Sequence, residues 1–290
     1  MKSSVQHTSI LKVGNDTHQE VDLLAVEEPM EIRLTYGPVD GRQQSSISVT
    51  MRTPGHDFEL ALGFLFSEGI IQSYEDVISI RYCRGGDQSE KQEAAKENIV
   101  RVVLSPDTRL DLQRLQRNFY TTSSCGVCGK ASIEALDTLC SPPRSDKFSV
   151  NVKAVHQAPA KLRAAQLVFN HTGGIHAAGL FDKDGKLLLW REDVGRHNAL
   201  DKLLGTSLIG NKFPKDCFLL LSGRVSFELV QKALMGGIAM IAAVGAPSSL
   251  AVQLAHQYDI TLIGFVRDQK FNIYSGSHRV ALEEKTPTFT

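Results

Sequence analysis

The chain has no excess charge of either sign: its 290 residues carry 32 Lys+Arg against 32 Asp+Glu. No net field draws it to nucleic acid or to an anionic membrane surface, so an anionic ligand has to be held by local geometry. Cysteine is sparse and odd in number. The five thiols, Cys83, Cys125, Cys128, Cys140 and Cys217, are spread over a long chain, which does not fit a secreted disulfide scaffold and does fit a reducing compartment. Long apolar runs are missing too. The most apolar stretch, Ala233 to Ala246, falls short of the roughly 20 residues a membrane helix needs and is closed by Pro247. The first thirty residues show no apolar run followed by a small-residue cleavage pattern, so no signal peptide is expected. These absences point to a cytoplasmic protein that binds neither nucleic acid nor membrane. A hydrophobic content of 42% excludes disorder of the whole, and the length suggests two domains or one large one.

What is present divides along the chain. Residues 1–20 are polar and unpatterned and predict a loose leader. Residues 21–120 read as a small α+β domain. It starts with a hairpin, Glu31 to Thr35 and Ser46 to Met51, and continues with a buried helix over His56 to Ser67. Strands follow at Val77 to Tyr82 and Ile99 to Leu104, separated by an exposed polar loop, and a helix at Asp107 to Phe119 ends the domain. Residues 121–147 hold a Cys-x-x-Cys, a helical pattern and a linker at Ser141 to Asp146. Residues 148–290 alternate helical and short apolar extended patterns. A helix at Ala158 to Phe169 and a hairpin at Gly174 to Phe181 and Leu187 to Arg191 come first, then a helix at Asn198 to Leu204. Strands at Cys217 to Ser222, Ile238 to Val244 and Ile260 to Val266 then alternate with helices at Phe227 to Met235 and Ser248 to His256. Continuous apolar strands of this kind predict a mixed, mainly parallel sheet flanked by helices, an α/β domain larger than the first.

The first chemistry-bearing segment is Ser123-Ser124-Cys125-Gly126-Val127-Cys128-Gly129-Lys130, placed just before a helical pattern. A helix N-terminus and a neighbouring Lys favour thiolate, and the flanking glycines leave both sulfurs open to a partner. Three readings compete. A structural zinc site needs four ligands, and no second Cys-x-x-Cys is present. A thioredoxin-like pair belongs directly after the first strand of a βαβ unit, whereas here a whole domain precedes it. A sulfur-carrying or nucleophilic pair needs only an accessible low-pKa thiol with a resolving neighbour. Zinc deaminase chemistry requires His-x-Glu with Pro-Cys-x-x-Cys, and neither motif occurs.

A second group of segments suits an anionic, ring-bearing ligand. His171 to Leu180 contains Gly173-Gly174, which permit close backbone approach, followed by His176. Arg191 to Asn198 packs Arg196 and His197 into a dense charged run where a strand hands over to a helix; its bland alternative is a capped helix start with surface ion pairs. Ser222-Gly223-Arg224 follows one apolar strand, and Gly245 to Ser249 follows the next with Ser248 or Ser249 as a cap. After the last central strand come Phe265, Val266, Arg267, Asp268, Gln269 and Lys270, where Phe265 suits stacking and Asp268 suits a guanine edge.

Segments 123–130, 172–178, 191–202 and 222–228, taken together, resemble the FdhD family, the accessory sulfurtransferases of formate dehydrogenase. The resemblance runs from about Glu28 to Tyr274. It implies a homodimer whose larger domain is similar to the cytidine deaminase fold without its zinc site. It also implies that sulfur from a cysteine desulfurase is delivered to the molybdenum or tungsten of a bis(molybdopterin guanine dinucleotide) cofactor, for use by formate dehydrogenase. On that resemblance Cys125 carries the persulfide, Cys128 is its partner, and Phe265 to Lys270 bind the cofactor. Gly173, Gly174, His176, Arg196, His197, Ser222, Gly223 and Arg224 complete the expected cofactor site. The cofactor is then a bound substrate, and no metal is expected to be ligated by the protein itself. The alternative is a guanine-nucleotide cofactor-binding chaperone with non-catalytic cysteines; a third is a zinc-stabilised interaction module.

Overall fold

Burial decides which predicted elements matter. A computed structural model describes residues 2–83, 97–108, 148–211, 213, 215–267 and 269–282. The predicted helices at Asp107 to Phe119 and after the Cys-x-x-Cys, the polar loop after Cys83, and Cys125, Cys128, Cys140 and Asp268 lie outside the described residues. The chain forms two units. One comprises the described residues within Met1–Leu139, Gln166–His176 and Arg191–Phe213; the other those within Cys140–Ala165, Ala177–Trp190 and Pro214–Thr290. The units are interleaved in sequence and so do not follow the linear boundaries expected at 120 and 148. No helix among the described residues is long and apolar enough to cross a membrane.

The first unit opens with an antiparallel hairpin, β1 (Val5–Val13) and β2 (Thr17–Ala25), in register from Val5↔Ala25 to Val13↔Thr17. This corrects the loose leader expected over residues 1–20. A four-stranded sheet follows in the order β4-β3-β6-β5, built from β3 (Glu28–Tyr36), β4 (Gln43–Arg52), β5 (Val77–Tyr82) and β6 (Ile99–Leu104). The β3/β6 pair is parallel and the two outer pairs are antiparallel. Alternation sends Met30, Ile32 and Leu34 of β3 and Val100, Val102 and Leu104 of β6 to one buried face.

Helix α1 (Asp57–Ser67) of this unit packs against a helix from much later in the chain, Arg196–Ile209. Glycine permits the contact: a Cβ on Gly63 would stand 1.8 Å from the carbonyl oxygen of Asp201, and one on Gly205 would stand 1.9 Å from that of Glu59. The two backbones meet where each helix lacks a side chain. The Ser67 hydroxyl pins the crossing by donating to Asp201 Oδ1 at 2.9 Å, out of solvent.

The second unit is built on a six-stranded sheet in the order β13-β12-β11-β10-β8-β9. Its strands are β8 (His176–Asp182), β9 (Leu187–Asp193), β10 (Cys217–Leu221), β11 (Met240–Ala243), β12 (Thr261–Arg267) and β13 (Lys270–Ser275). A two-residue pair, β7 (Val150–Asn151) with β14 (Val280–Ala281), lies beside it as a separate sheet. The three central strands β10, β11 and β12 run parallel, whereas β8 pairs with β10, and β13 with β12, antiparallel. The sheet is therefore mixed, with its parallel part at the centre.

Helix α2 (Val152–Ala165) buries Val155, Ala158 and Leu162 in a core with Phe181, Phe218, Leu220, Met240, Ala242 and Ile263. The alternate residues Leu219, Leu221, Ile241, Ala243 and Leu262 are equally buried, which is why these strands read as unbroken apolar runs. The helix expected at Ala158 to Phe169 is in fact two. It starts earlier, at Val152, and breaks at Gln166, whose backbone turns extended before the short α3 (Leu167–Thr172).

Adding one methyl group at the helix crossing should be costly. Gly205→Ala is expected to destabilise the protein by at least about 2 kcal/mol, because the clash is with backbone that no rotamer change can move. Urea unfolding would show it as a lower midpoint; an unchanged midpoint would mean the helices can separate without penalty.

Candidate functional site

In the charged run at 191–198, Asp193 and Asn198 are buried and the other six residues are partly exposed. Asp193 is fully buried and sits 2.6 Å from Lys202 Nζ, itself 1% exposed, on α4 (Arg196–Ile209). Its carboxylate also accepts from the Gly195 N–H at 2.8 Å, Asn198 Nδ2 at 3.0 Å and the Thr53 N–H at 3.2 Å. Lys202 donates to the carbonyls of Thr53 and Glu192, and Asn198 Nδ2 to that of Met51. The Thr53 hydroxyl accepts from the Val194 N–H, and the Thr50 hydroxyl donates to Asn198 Oδ1. Every polar atom of the buried pair therefore has a partner, the condition under which a buried ion pair is tolerated. Glu192 caps α3 by accepting from the N–H groups of Val168 and Phe169 at 3.2 and 3.0 Å. The alternative of surface ion pairs does not describe Asp193, whose ion pair with Lys202 is buried.

The lock holds the loop after β4 in an unusual shape. Gly55 has φ +105°, and His56, at the start of α1, has φ 57°, a left-handed conformation rare outside glycine. His56 Nδ1 lies 3.0 Å from Glu59 Oε1, which is 3.9 Å from Arg191. Beneath the loop, Arg52 grips Asp57 bidentately at 3.0 and 2.9 Å with its side chain fully buried, and the Tyr82 hydroxyl donates to the same carboxylate.

Of the expected cofactor residues, Gly173, Gly174, His176, Arg196 and His197 belong to this first unit. Gly173 is the left-handed residue that ends α3, and both glycines are exposed. His176, Arg196 and His197 remain partly exposed around the lock. Burial lowers the pKa of His176 below its ordinary value near 6.5, and the charges of Arg196 and His197 push the same way. The imidazole is thereby kept neutral at pH 7. Arg196 Nε is buried without a hydrogen-bond partner among the described residues.

Ser222, Gly223, Arg224, Phe265, Val266, Arg267, Gln269 and Lys270 belong to the second unit, where the loops at the C-terminal ends of the parallel strands are stitched edge to edge. The Ser222 N–H donates to the Ala177 carbonyl, and its hydroxyl accepts the Ala177 N–H at 2.9 Å. Ser222 thus extends the β8/β10 ladder. Gly245 N–H donates to Gly223 O, Val225 N–H to Ala246 O, Ser248 N–H to Val225 O, and Phe265 N–H to Gly245 O. Ser248 caps α6 (Ser249–Gln257) through the Ala251 N–H, while Ser226 before α5 (Phe227–Met235) instead bonds Glu228. A Cβ on Gly245 would stand 2.8 Å from Arg224 N, and one on Gly264 2.9 Å from Pro247. No spacing in the sequence marks these two glycines as packing residues.

At the end of this rim, Phe265 and Gln269 both adopt φ 58°, and the β12/β13 register shifts between Gly264 and Arg267. Left-handed non-glycine residues cost energy and concentrate at functional sites. A cleft of about 510 Å³ opens here, lined by Phe265, Arg267, Lys270, Phe271 and Asn272, with the Arg267 guanidinium 5.9 Å from the Phe265 ring centre. Phe271 and Asn272 were not foreseen; their place beside the bulge marks them. Val266 corrects the expected list, since its side chain is 1% exposed and belongs to the core under α2. Arg224 is exposed on the same rim. Burial, with the charge of Asp216, pushes the Cys217 thiol up to about 12, so it is a poor nucleophile at neutral pH.

Two outcomes follow. Lys202→Met should cost about 3–5 kcal/mol in chemical unfolding, because it strands a buried carboxylate; a loss as small as that of an exposed pair would refute the lock. For His176, the unfolded chain takes up a proton at higher pH than the folded one does. Its contribution is complete above about pH 6.5 and declines as pH falls toward the lower folded value. Its NMR titration should have a midpoint below 6.5, and His176→Gln should flatten the pH dependence of stability in that window. A midpoint at or above 6.5 would contradict the burial argument.

The comparisons with known proteins agree on one family. Residues 25–281 match the model of the FdhD/NarQ family. The chain is 49% identical over 264 residues to the sulfur carrier protein FdhD of Streptomyces coelicolor, covering 90% of each chain. It is 47% identical over 261 residues to that of Mycobacterium tuberculosis, covering 89% of this chain and 92% of the relative. With that of Saccharolobus solfataricus it shares 39% over 267 residues, covering 92% and 94%. A crystal structure described as a formate dehydrogenase accessory protein from Desulfotalea psychrophila superposes with a TM-score of 0.72 at 22% identity, covering 96% of this chain and all of that one. That superposition supports the two-unit α/β fold, and the extent of the sequence matches shows that the chain belongs to the FdhD/NarQ family.

Proposed function

We propose that the protein is a sulfur carrier for formate dehydrogenase, taking sulfane sulfur onto Cys125 and delivering it to a bis(molybdopterin guanine dinucleotide) cofactor. The observation that carries this reading is the strained strand-end cleft. Phe265 offers a stacking face for a guanine, and Arg267 and Lys270 offer cations for phosphates. The names of the relatives supply the sulfur-carrier role. Of the other thiols, Cys217 is disfavoured by its raised pKa.

In the proposed sequence the Cys125 thiolate attacks the terminal sulfur of a desulfurase persulfide. The donor S–S bond breaks, the donor leaves as thiolate, and a new S–S bond forms on Cys125. For release, the Cys128 thiolate attacks the Cys125 sulfur, and the terminal sulfur departs as hydrosulfide toward the metal of the cofactor. The sulfur gains two electrons, and the two cysteines are left as a disulfide. An external dithiol then reduces that disulfide and resets the pair. The metal is cargo on the substrate. We place this chemistry in the cytoplasm, on a homodimer.

Incubation with a cysteine desulfurase and cysteine should add 32 Da, about one sulfur atom, to the peptide containing Cys125, and Cys125→Ala should abolish formate dehydrogenase activation. Sulfur found only on other peptides would reject the reading. Full activation by a Cys125→Ala, Cys128→Ala double variant would favour a nucleotide-binding chaperone with dispensable cysteines.

A further inference from the structure

On the first unit, the registers of the four-stranded sheet place Arg33 of β3 opposite Arg101 of β6, and Arg101 opposite Arg81 of β5. Directly paired residues point to the same side of a sheet, so three arginines share one row. Like charges facing each other across strands repel. Among the described residues one is neutralised: Arg33 bonds Glu31 bidentately at 2.7 and 2.9 Å, and that bond holds the Glu31 carboxyl below its usual range. Asp57 is committed to Arg52 and Tyr82. Glu97 acts on the Tyr82 phenol but forms no ion pair with either remaining arginine. Among the described residues, Arg81 and Arg101 have no hydrogen-bond or ion-pair partner, and Arg101 Nε is shielded from solvent without one.

Both guanidiniums line a cleft of about 630 Å³ whose other walls are Phe58, Ile80, Tyr82 and Cys83. Its volume is that of a small-molecule site. Two adjacent guanidinium forks without a partner among the described residues match the oxygens of a phosphate or carboxylate.

We infer that Arg81 and Arg101 form an oxyanion site for the phosphate or carboxylate of a small ligand. The site is independent of the proposed sulfur chemistry and of the cleft at Phe265.

Cys83 on the wall provides a local reporter. Pyrophosphate and citrate are used as probes on the full chain, and alkylation of the Cys83 peptide by iodoacetamide is followed by mass spectrometry. In the wild type at least one probe should slow Cys83 alkylation by about tenfold and raise Tm. Protection by pyrophosphate alone assigns the ligand to phosphates, and protection by citrate alone to carboxylates. Arg101→Gln and Arg81→Gln should each lose the protection, and Arg101→Lys should keep a weakened part of it. Without a probe the glutamine variants should melt no lower than wild type, because they relieve repulsion. An Arg267→Gln, Lys270→Gln variant should keep full protection, which separates this site from the cofactor cleft. Unchanged Cys83 alkylation with both probes, or protection that survives Arg101→Gln, would overturn the inference.

Discussion

The first unit depends on one buried ion pair. Asp193 and Lys202 lie out of solvent, and neither would be stable there alone. Their remaining hydrogen bonds go to backbone at Thr53, Glu192 and Gly195 and to the Asn198 amide, which itself donates to the Met51 carbonyl, so the end of β4, the end of β9 and the first turn of α4 are tied to one carboxylate and one ammonium. Because the bonds go to backbone, the pair fixes chain path as well as charge. The loop carrying His56 keeps its left-handed turn, and His176, Arg196 and His197 stay partly exposed around a rigid centre. The glycine crossing of α1 and α4 works with the same lock, since Lys202 lies on the turn of α4 between Asp201 and Gly205.

The second unit meets a different requirement with the same economy of side chains. Its central strands are buried on both faces, and irregular backbone lies in the loops at their ends. Those loops satisfy one another: strand-like hydrogen bonds run from Ala177 through Ser222, Gly223 and Gly245 to Phe265. Strain collects at the far end, in Phe265 and Gln269, where a cation and an aromatic ring face a cleft. The proposed anion sites are local in both units, as a chain of zero net charge requires.

Much of this was legible in the sequence. β5, β6 and the helix at Phe227–Met235 fall on their predicted bounds, because apolar periodicity was strong and turn residues closed both ends. The N-terminal hairpin was missed because it has little buried face to advertise; Leu11, Val13 and Val21 are exposed in it. Within the 191–198 run, the buried role of Asp193 was not legible. A charged run does not reveal that its carboxylate is answered by Thr53, 140 positions away. Gly63, Gly205 and Gly264 carried no mark in the sequence and Gly245 was read only as part of a ligand rim, since close approach is a property of the partner backbone. Val266 alternates inward only because the bulge shifts its register.

The most direct test is a single-turnover transfer. Cys125 is first loaded with labelled sulfane sulfur, then the protein is mixed with the guanylated molybdenum cofactor and a dithiol, and the label is followed on both. Carriage from a thiol to a ligand held at the Phe265 cleft predicts that the label leaves Cys125 for the cofactor. It further predicts that Arg267→Gln with Lys270→Gln slows that step by about tenfold while loading stays normal. Label that remains on the protein, or transfer at an unchanged rate in the double variant, would contradict it.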